Sequence, residues 1–265
     1  MEIPCTDAID KNQICEVKIH NIYSPSRFWA VVNNANMKVF ARYLTHYYKQ
    51  KGVPLTEITK HAICVIHQKN NYYRAIILPV IFYGQDKIRA FLVDYGIFTH
   101  VTRADLFQIK PKHLKVPRLA FRCCLAYVHN KDKNQPWTVA ALQTFCEILQ
   151  TRKIFMKIHE IDEKQRTLYV DILRQCKNSL ESCSTLLVSS GQALLNSYEA
   201  NTEEKDPRYK RVMKYMHLFP TFQTLEGGEV PYSLWEHNLL KDCLPKDVLY
   251  KNYYEYVKID DRNNK

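Results

Sequence analysis

Two short runs, Tyr72-Tyr73-Arg74-Ala75 and Phe91-Leu92-Val93-Asp94-Tyr95-Gly96, decide how this chain is read. Each is a β-branched or aromatic stretch carrying one charged residue, and both lie in the densest strand pattern of the sequence. Ala62 to His67, Tyr72 to Val80, Lys87 to Asp94 and Phe98 to Val101 read as strands. Asn70-Asn71, Gly84-Gln85-Asp86 and Gly96 punctuate them. An open sheet of such short strands leaves both edges and one face unpaired, so the pattern predicts closure into a small barrel.

Outward from this barrel the periodicity changes. Residues 15–22 and 28–33 read as two strands joined by a turn at Tyr23-Ser24-Pro25-Ser26-Arg27. Met37, Phe40, Tyr43, Leu44, Tyr47 and Tyr48 recur at helical spacing until Gly52 and Pro54 stop them. Past Pro117, Ala120 to Val128 reads as a strand. Asn134-Gln135-Pro136 then opens a helix with Trp137, Ala140, Ala141, Phe145, Ile148 and Leu149 on one face. Ile154 to Ile161 and Leu168 to Leu173 predict a hairpin around Glu163-Lys164-Gln165, and Thr185 to Val188 with Ala193 to Leu195 predicts a further helix. The outer strands together predict a five-stranded sheet or barrel of oligonucleotide-binding type, interrupted by the smaller one. The fold class is therefore mixed α+β and mainly β. The expected segments are 1–13 (N-terminal), 14–34 (first part of the outer domain), 35–58 (linker helix), 59–118 (small barrel), 119–200 (second part of the outer domain) and 201–265 (C-terminal extension with short helical patterns).

Composition narrows the function. Lys and Arg number 38 against 27 Asp and Glu, a formal charge of +11, which points to acidic partners. The nine cysteines show no C-x-x-C spacing, and no histidine pair completes a zinc site, so reduced thiols in an intracellular protein are expected. Cys64, Cys123 and Cys124 sit in apolar strand contexts, where cysteine is a small core residue. The six glycines form no phosphate loop, and nucleophile-elbow, zincin and dinucleotide motifs are absent. No catalytic residue, metal or cofactor is assigned. Met1 to Asp7 lacks a signal-peptide pattern, and the longest apolar run, Ala75 to Tyr83, is too short to span a bilayer. A soluble, non-enzymatic binding protein is expected.

Ser24-Pro25-Ser26-Arg27-Phe28-Trp29, Cys64, Tyr72 to Ala75 and Val93 to Gly96, in that order, resemble an extended Tudor domain. In that family a Tudor barrel is inserted in a staphylococcal-nuclease-like domain and joined to it by a helix. The resemblance covers roughly residues 14–198. Downstream, Trp137 to Phe145, Asp171-Ile172-Leu173 and Leu187 to Gly191 resemble the long helix, last strand and closing helix of the nuclease-like half. The tail, with Phe219-Pro220 and Trp235, looks like the Yb-type Tudor helicases of the piRNA pathway, which place such a domain beside an RNA-helicase region. These 265 residues contain no helicase region.

The resemblance implies a reader of methylated arginine in the tails of PIWI-type Argonautes, placed in cytoplasmic, perinuclear germ granules (nuage). An aromatic cage holds the guanidinium, each ring contributing about 0.5–2 kcal/mol, and a side-chain amide completes the contact. Mapped motif by motif, the cage positions are His67, Tyr73, Leu92 and Tyr95, with Ile97 where the family has asparagine. Losing the amide bond to a charged group costs about 1.5–3 kcal/mol, so the mapping predicts a degenerate cage with little methylarginine discrimination. Tyr73 and Tyr95 equally fit a role as barrel-core residues. Asp94 fits either a local counter-charge for an arginine or an acceptor that stabilises its turn.

Three uses remain open, in this order. The first is a germline scaffold docking an Argonaute arginine-rich tail or another Tudor protein. The second is RNA binding by Lys110, Lys112, Lys115, Arg118 and Arg122 of the basic nuclease-like half. The third is self-association through the C-terminal extension, where Trp235 and the tyrosines 250, 253, 254 and 256 supply aromatic surface.

Overall fold

Apolar side chains drive the first hairpin, β1 (Ile14–Ser24) and β2 (Arg27–Val32), which buries Val17 in β1 and the unbroken run Phe28, Trp29, Ala30 and Val31 in β2. The computed structural model describes residues 10–32, 35–78, 88–131, 137–151, 153–176, 179–195 and 221–228. Helix α1 (Ala35–Lys51) follows the hairpin. Then come β3 (Ile63–Gln68), β4 (Asn71–Ile77), β5 (Ile88–Leu92), β6 (Ile97–Val101) and β7 (Leu106–Gln108). They pair in the order β6-β5-β4-β3-β7 as the small barrel. Its interior is Cys64, Ile66, Ala75, Ile77, Ala90, Leu92, Val101 and Leu106, the residues that strand alternation selects.

The short helix α2 (Pro111–Leu114) leads back to the outer domain, made of β8 (Ala120–Leu125), β9 (Val128–His129), α3 (Val139–Ile148), β10 (Ile154–Asp162), β11 (Thr167–Cys176), β12 (Ser179–Ser182), α4 (Cys183–Ser189) and β13 (Leu194–Leu195). Strands run in the order β10-β1-β2-β8-β11, and β10 also pairs with β11, so these five close on themselves. Only β8 and β11 pair in parallel. Of the sheet or barrel of oligonucleotide-binding type expected from the sequence, this is the closed form. Closure removes every free edge but the one extended by β12.

Two local expectations change. Leu194 and Leu195 do not continue a helix. Gly191 (φ +68°) takes the left-handed position after α4, with Gly191 N–H donating to Val188 O (2.9 Å) and Gln192 N–H to Leu187 O (2.9 Å). This Schellman cap ends the helix and releases the chain to pair with β9. The third helix starts at Val139, with Thr138 Oγ1 as its N-cap, so Trp137 lies before it and donates its indole N–H to Ser26 Oγ (2.8 Å). Of the C-terminal extension, helix α5 (Phe222–Glu226) is described, whereas Phe219-Pro220, Trp235 and the late tyrosines lie outside the described residues.

One apolar cluster runs through both barrels. It joins Phe28, Trp29 and Phe145 of the outer domain to Phe91 and Val93, which β5 and the turn after it direct away from the small-barrel interior. Trp29 lies at the seam, with ring centroids 5.9 Å from Phe91 and 6.0 Å from Phe98.

Candidate functional site

The charged residues of the two opening motifs meet inside the protein. Arg74, fully buried, donates from Nε to Asp94 Oδ2 (2.8 Å) and from Nη2 to Asp94 Oδ1 (2.5 Å). Its remaining donors reach the carbonyls of His113 (2.7 Å), Val116 (2.5 Å) and Pro117 (2.8 Å). All five N–H positions of the guanidinium are thus available to acceptors without water. Asp94 Oδ1 also accepts the Leu119 N–H (3.2 Å). The aspartate is therefore consumed by Arg74 and the backbone, and the turn-stabilising reading prevails over that of a counter-charge for a ligand. Gly96 follows in the left-handed region (φ +68°), and a Cβ there would stand 2.2 Å from Trp29 Cβ. Only glycine fits this turn, which fixes where Tyr95 projects.

Tyr73 and Tyr95 face each other edge-to-face at one end of the small barrel, centroids 5.3 Å apart at 80°. Both are half-buried against the barrel interior. Burial, then the neighbouring Tyr73 and Asp94, push the Tyr95 phenol up to about 12, so it stays a neutral donor. Leu92 lies beneath them, 4% exposed, and pairs across the ladder with half-buried Ile97. Four of the five mapped positions therefore converge.

His67 does not join them. Lys69 and Asn70 (φ 48° and 64°) form a two-residue hairpin turn, so Ile66 pairs with Tyr73 and His67 with Tyr72. A one-residue difference in register moves a side chain to the opposite face. His67 lies on the outer face, its ring 4.8 Å from Tyr72 and its Nδ1 3.7 Å from Asp105 Oδ1. By the same alternation Ile66 and Gln68 share the face of Tyr73, and Gln68 donates from Nε2 to Thr99 Oγ1 (2.8 Å).

Sequence reasoning missed His20. The β1–β2 register shifts between Ile19 and Asn21, and this bulge brings the exposed His20 ring within 5.7 Å of Tyr95, edge-on. Partial desolvation and then Lys18 hold its imidazole below the ordinary histidine range, hence neutral near pH 7. The rim thus carries a third ring, from the other barrel. Bulges leave no mark in composition, which is why His20 gave no signal.

The proposed RNA-contact residues are dispersed in their engagements. Lys110 donates its backbone N–H to Tyr48 Oη (2.9 Å). Lys112 is exposed, donates to Tyr43 Oη (2.7 Å) and stands 4.1 Å from the Tyr47 ring centre. Lys115 is exposed. Arg118 and Arg122 instead bind one carboxylate, that of Glu226 in α5. Among the described residues, no group of three or more His, Cys, Asp and Glu is placed to hold a metal, and no helix is long and apolar enough to cross a membrane. Burial pushes the Cys64 and Cys183 thiols up to about 12 and raises that of Cys123, consistent with core packing.

Residues 9–127 match the Tudor domain family. This region is a Tudor domain. Around it the chain has the extended Tudor fold, superposing on the extended Tudor domain TD3 of mouse TDRD1 in complex with a MILI peptide containing dimethylarginine (TM-score 0.62, 20% identity, 74% of this chain and 100% of that one). The Drosophila melanogaster Papi extended Tudor domain, in complex with a dimethylated Piwi N-terminal peptide, superposes with a TM-score of 0.56 at 22% identity, over 69% of this chain and 100% of that one. In sequence, human Tudor domain-containing protein 6 is 26% identical over 194 residues, 71% of this chain but 9% of that protein. The chain therefore spans a small part of such a relative. A Tudor domain is a binding module, not a catalyst.

Proposed function

We propose that this chain is a protein-interaction scaffold of the germline piRNA machinery, docking an arginine-bearing tail of a PIWI-type Argonaute, or another Tudor protein, with little regard to methylation. Its expected place is the perinuclear germ granule. The observation that carries the reading is the Tyr73–Tyr95 pair, two rings set edge-to-face at the end of the small barrel with aliphatic Leu92 and Ile97 beside them. Two π faces attract a guanidinium. Buried Leu92 and half-buried Ile97 supply neither quadrupole nor amide, so the guanidinium N–H meets no amide acceptor there and added methyl groups meet no further ring. The net positive charge of the chain slows encounter with a basic tail, which favours a contact set by local geometry over one set by long-range steering.

Calorimetric titration of one arginine-rich Piwi-type peptide, unmethylated and symmetrically dimethylated, tests this. The expected affinities agree within about threefold, a difference of roughly 0.7 kcal/mol. A dimethylated peptide bound more than about tenfold tighter would overturn the degenerate cage.

A further inference from the structure

Glu226 is a buried carboxylate supplied to the outer domain from the C-terminal extension. Arg122 forks onto it, Nε to Oε1 (2.9 Å) and Nη2 to Oε2 (2.7 Å), Arg118 Nη1 donates to Oε2 (2.9 Å), and the Trp29 indole N–H donates to Oε1 (2.9 Å). One helical turn earlier, Phe222 sits edge-on to Trp29 (5.1 Å, 87°), with the guanidinium carbons of Arg27 and Arg122 5.4 and 5.8 Å from its ring centre. Leu225 is fully buried between them in sequence. The receptor residues all come from β2, β8 and the segment just before β8. The α5 segment's backbone bonds close on itself: Leu225 N–H to Thr221 O (3.0 Å) and Gly227 N–H to Gln223 O (2.7 Å). No strand pairs with it among the described residues.

This arrangement is that of a short peptide bound to a preformed site. Side chains alone anchor it: one phenylalanine, one leucine, and a glutamate four residues after the phenylalanine. The site also holds donors that residues 222–226 leave unmatched. The buried Nε atoms of Arg27 and Arg118 have no acceptor among the described residues, and a buried donor without an acceptor is a cost that a ligand richer in carboxylates removes.

We propose that the seam lined by Arg27, Trp29, Arg118 and Arg122 is a second peptide-binding site, selective for an acidic partner segment of the pattern Phe-x-x-Leu-Glu, and that residues 222–226 occupy it in cis as a competitor. It is separate from the Tyr73–Tyr95 mouth and opposite in charge preference, so it does not depend on the arginine-tail reading. Tethering gives the cis segment a high effective concentration. A partner gains access by matching its anchors and adding carboxylates for the arginines.

The test uses the full chain and a fluorescein-labelled peptide spanning Thr221 to Gly228, followed by anisotropy. In the Phe222→Ala/Glu226→Gln double variant the cis segment is disarmed, and the peptide is expected to bind at least tenfold tighter than to the unaltered chain. A peptide carrying Gln for Glu226, or Arg122→Ala added to the variant, is expected to lose tenfold or more. A folded double variant that binds the peptide no better than the unaltered chain overturns the proposal. Should the double variant not fold, amide exchange in the unaltered chain decides. Excess unlabelled peptide is expected to speed exchange at residues 222–226 severalfold, and unchanged exchange overturns the site.

Discussion

Two buried arginine–carboxylate clusters stand about the same seam and are built on opposite plans. In the first, Arg74 and Asp94 lie on adjacent elements of the small barrel, and Arg74 also ties down the carbonyls of His113, Val116 and Pro117 as the chain returns to the outer domain. In the second, Arg118 and Arg122 receive a carboxylate from 108 and 104 residues away, on a five-residue helix that contributes no strand pairing. The Arg74 and Asp94 side chains are 0% and 5% exposed, while those of Arg118 and Arg122 keep 16% and 13%. A charge pair with no solvent path must form if the barrel is to fold. One whose cations retain water can open without the fold being lost. The first cluster is a permanent element of architecture, and the second has the anatomy of a bound ligand.

The largest effect is expected at the first cluster. Asp94→Ala leaves a guanidinium buried without its partner, a loss of about 3–5 kcal/mol, read as a large fall in the urea midpoint or as failure to fold. Replacing both members by apolar residues often restores stability in proteins. Here Arg74→Met/Asp94→Leu is expected to remain destabilised, because three backbone carbonyls and the Leu119 N–H lose their partners too. Full recovery in that double variant would show that the carbonyl contacts are idle.

Glu226→Gln comes next, with an expected loss of about 1–3 kcal/mol confined to the docked segment. Faster exchange at residues 222–226 with an almost unchanged global midpoint is the predicted signature, and a global fall as deep as that of Asp94→Ala would erase the distinction. The docking is also pH-dependent. Burial by itself would raise the Glu226 carboxyl, but Arg122, Arg118 and the Trp29 indole outweigh it and hold the group below its ordinary value. A carboxylate with a lowered folded pKa stabilises above its unfolded pKa, and that stability is lost as pH falls through the folded value. The segment is therefore expected to stay docked at neutral pH and to release only in acid, as pH falls below the ordinary glutamate range, a transition absent from Glu226→Gln.

A milder acid effect belongs to the linker. His113 accepts from or donates to Tyr48 Oη at 3.0 Å, and burial, followed by Lys112 and Arg74, lowers its pKa to about 4. A histidine kept neutral in the folded protein costs stability as pH drops, because the unfolded chain takes up the proton first. Stability is expected to decline from pH 6.5 toward about 4, and His113→Leu is expected to flatten that slope in urea titrations across the range.

The fold was legible because its determinants are local. Alternation marked the strands, and the Tyr-Arg-Ala and Asp-Tyr-Gly runs marked the small barrel in order. What was not legible depends on geometry between segments. The charges at Arg74 and Asp94 stood out in apolar runs, yet nothing in the spacing said that they would meet. The family motifs map a cage position onto His67, but the two-residue turn at Lys69-Asn70 sets the parity, and the parity points inward at Ile66 and Gln68. The α5 segment, with its single phenylalanine and glutamate, has no periodicity to betray what it docks against.

That parity gives the smallest and sharpest prediction. If the ligand enters at the Tyr73–Tyr95 end, Tyr95→Ala removes one of its two tyrosine rings and is expected to weaken an arginine peptide by about tenfold, near 1.4 kcal/mol. His20→Ala, touching only the Tyr95 edge, is expected to cost about twofold to threefold, well under 1 kcal/mol. His67→Ala removes a ring from the outer face, where it meets Tyr72 and Asp105, and is expected to leave peptide affinity unchanged within error. All three are read by the same calorimetric titration, with the melting temperature as a control for folding. A His67→Ala loss equal to that of Tyr95→Ala would mean that the hairpin shifts register when peptide binds and that the motif-based position was the right one. No loss at His67, with a graded loss at His20 and Tyr95, would place the ligand at the rim where the two barrels meet.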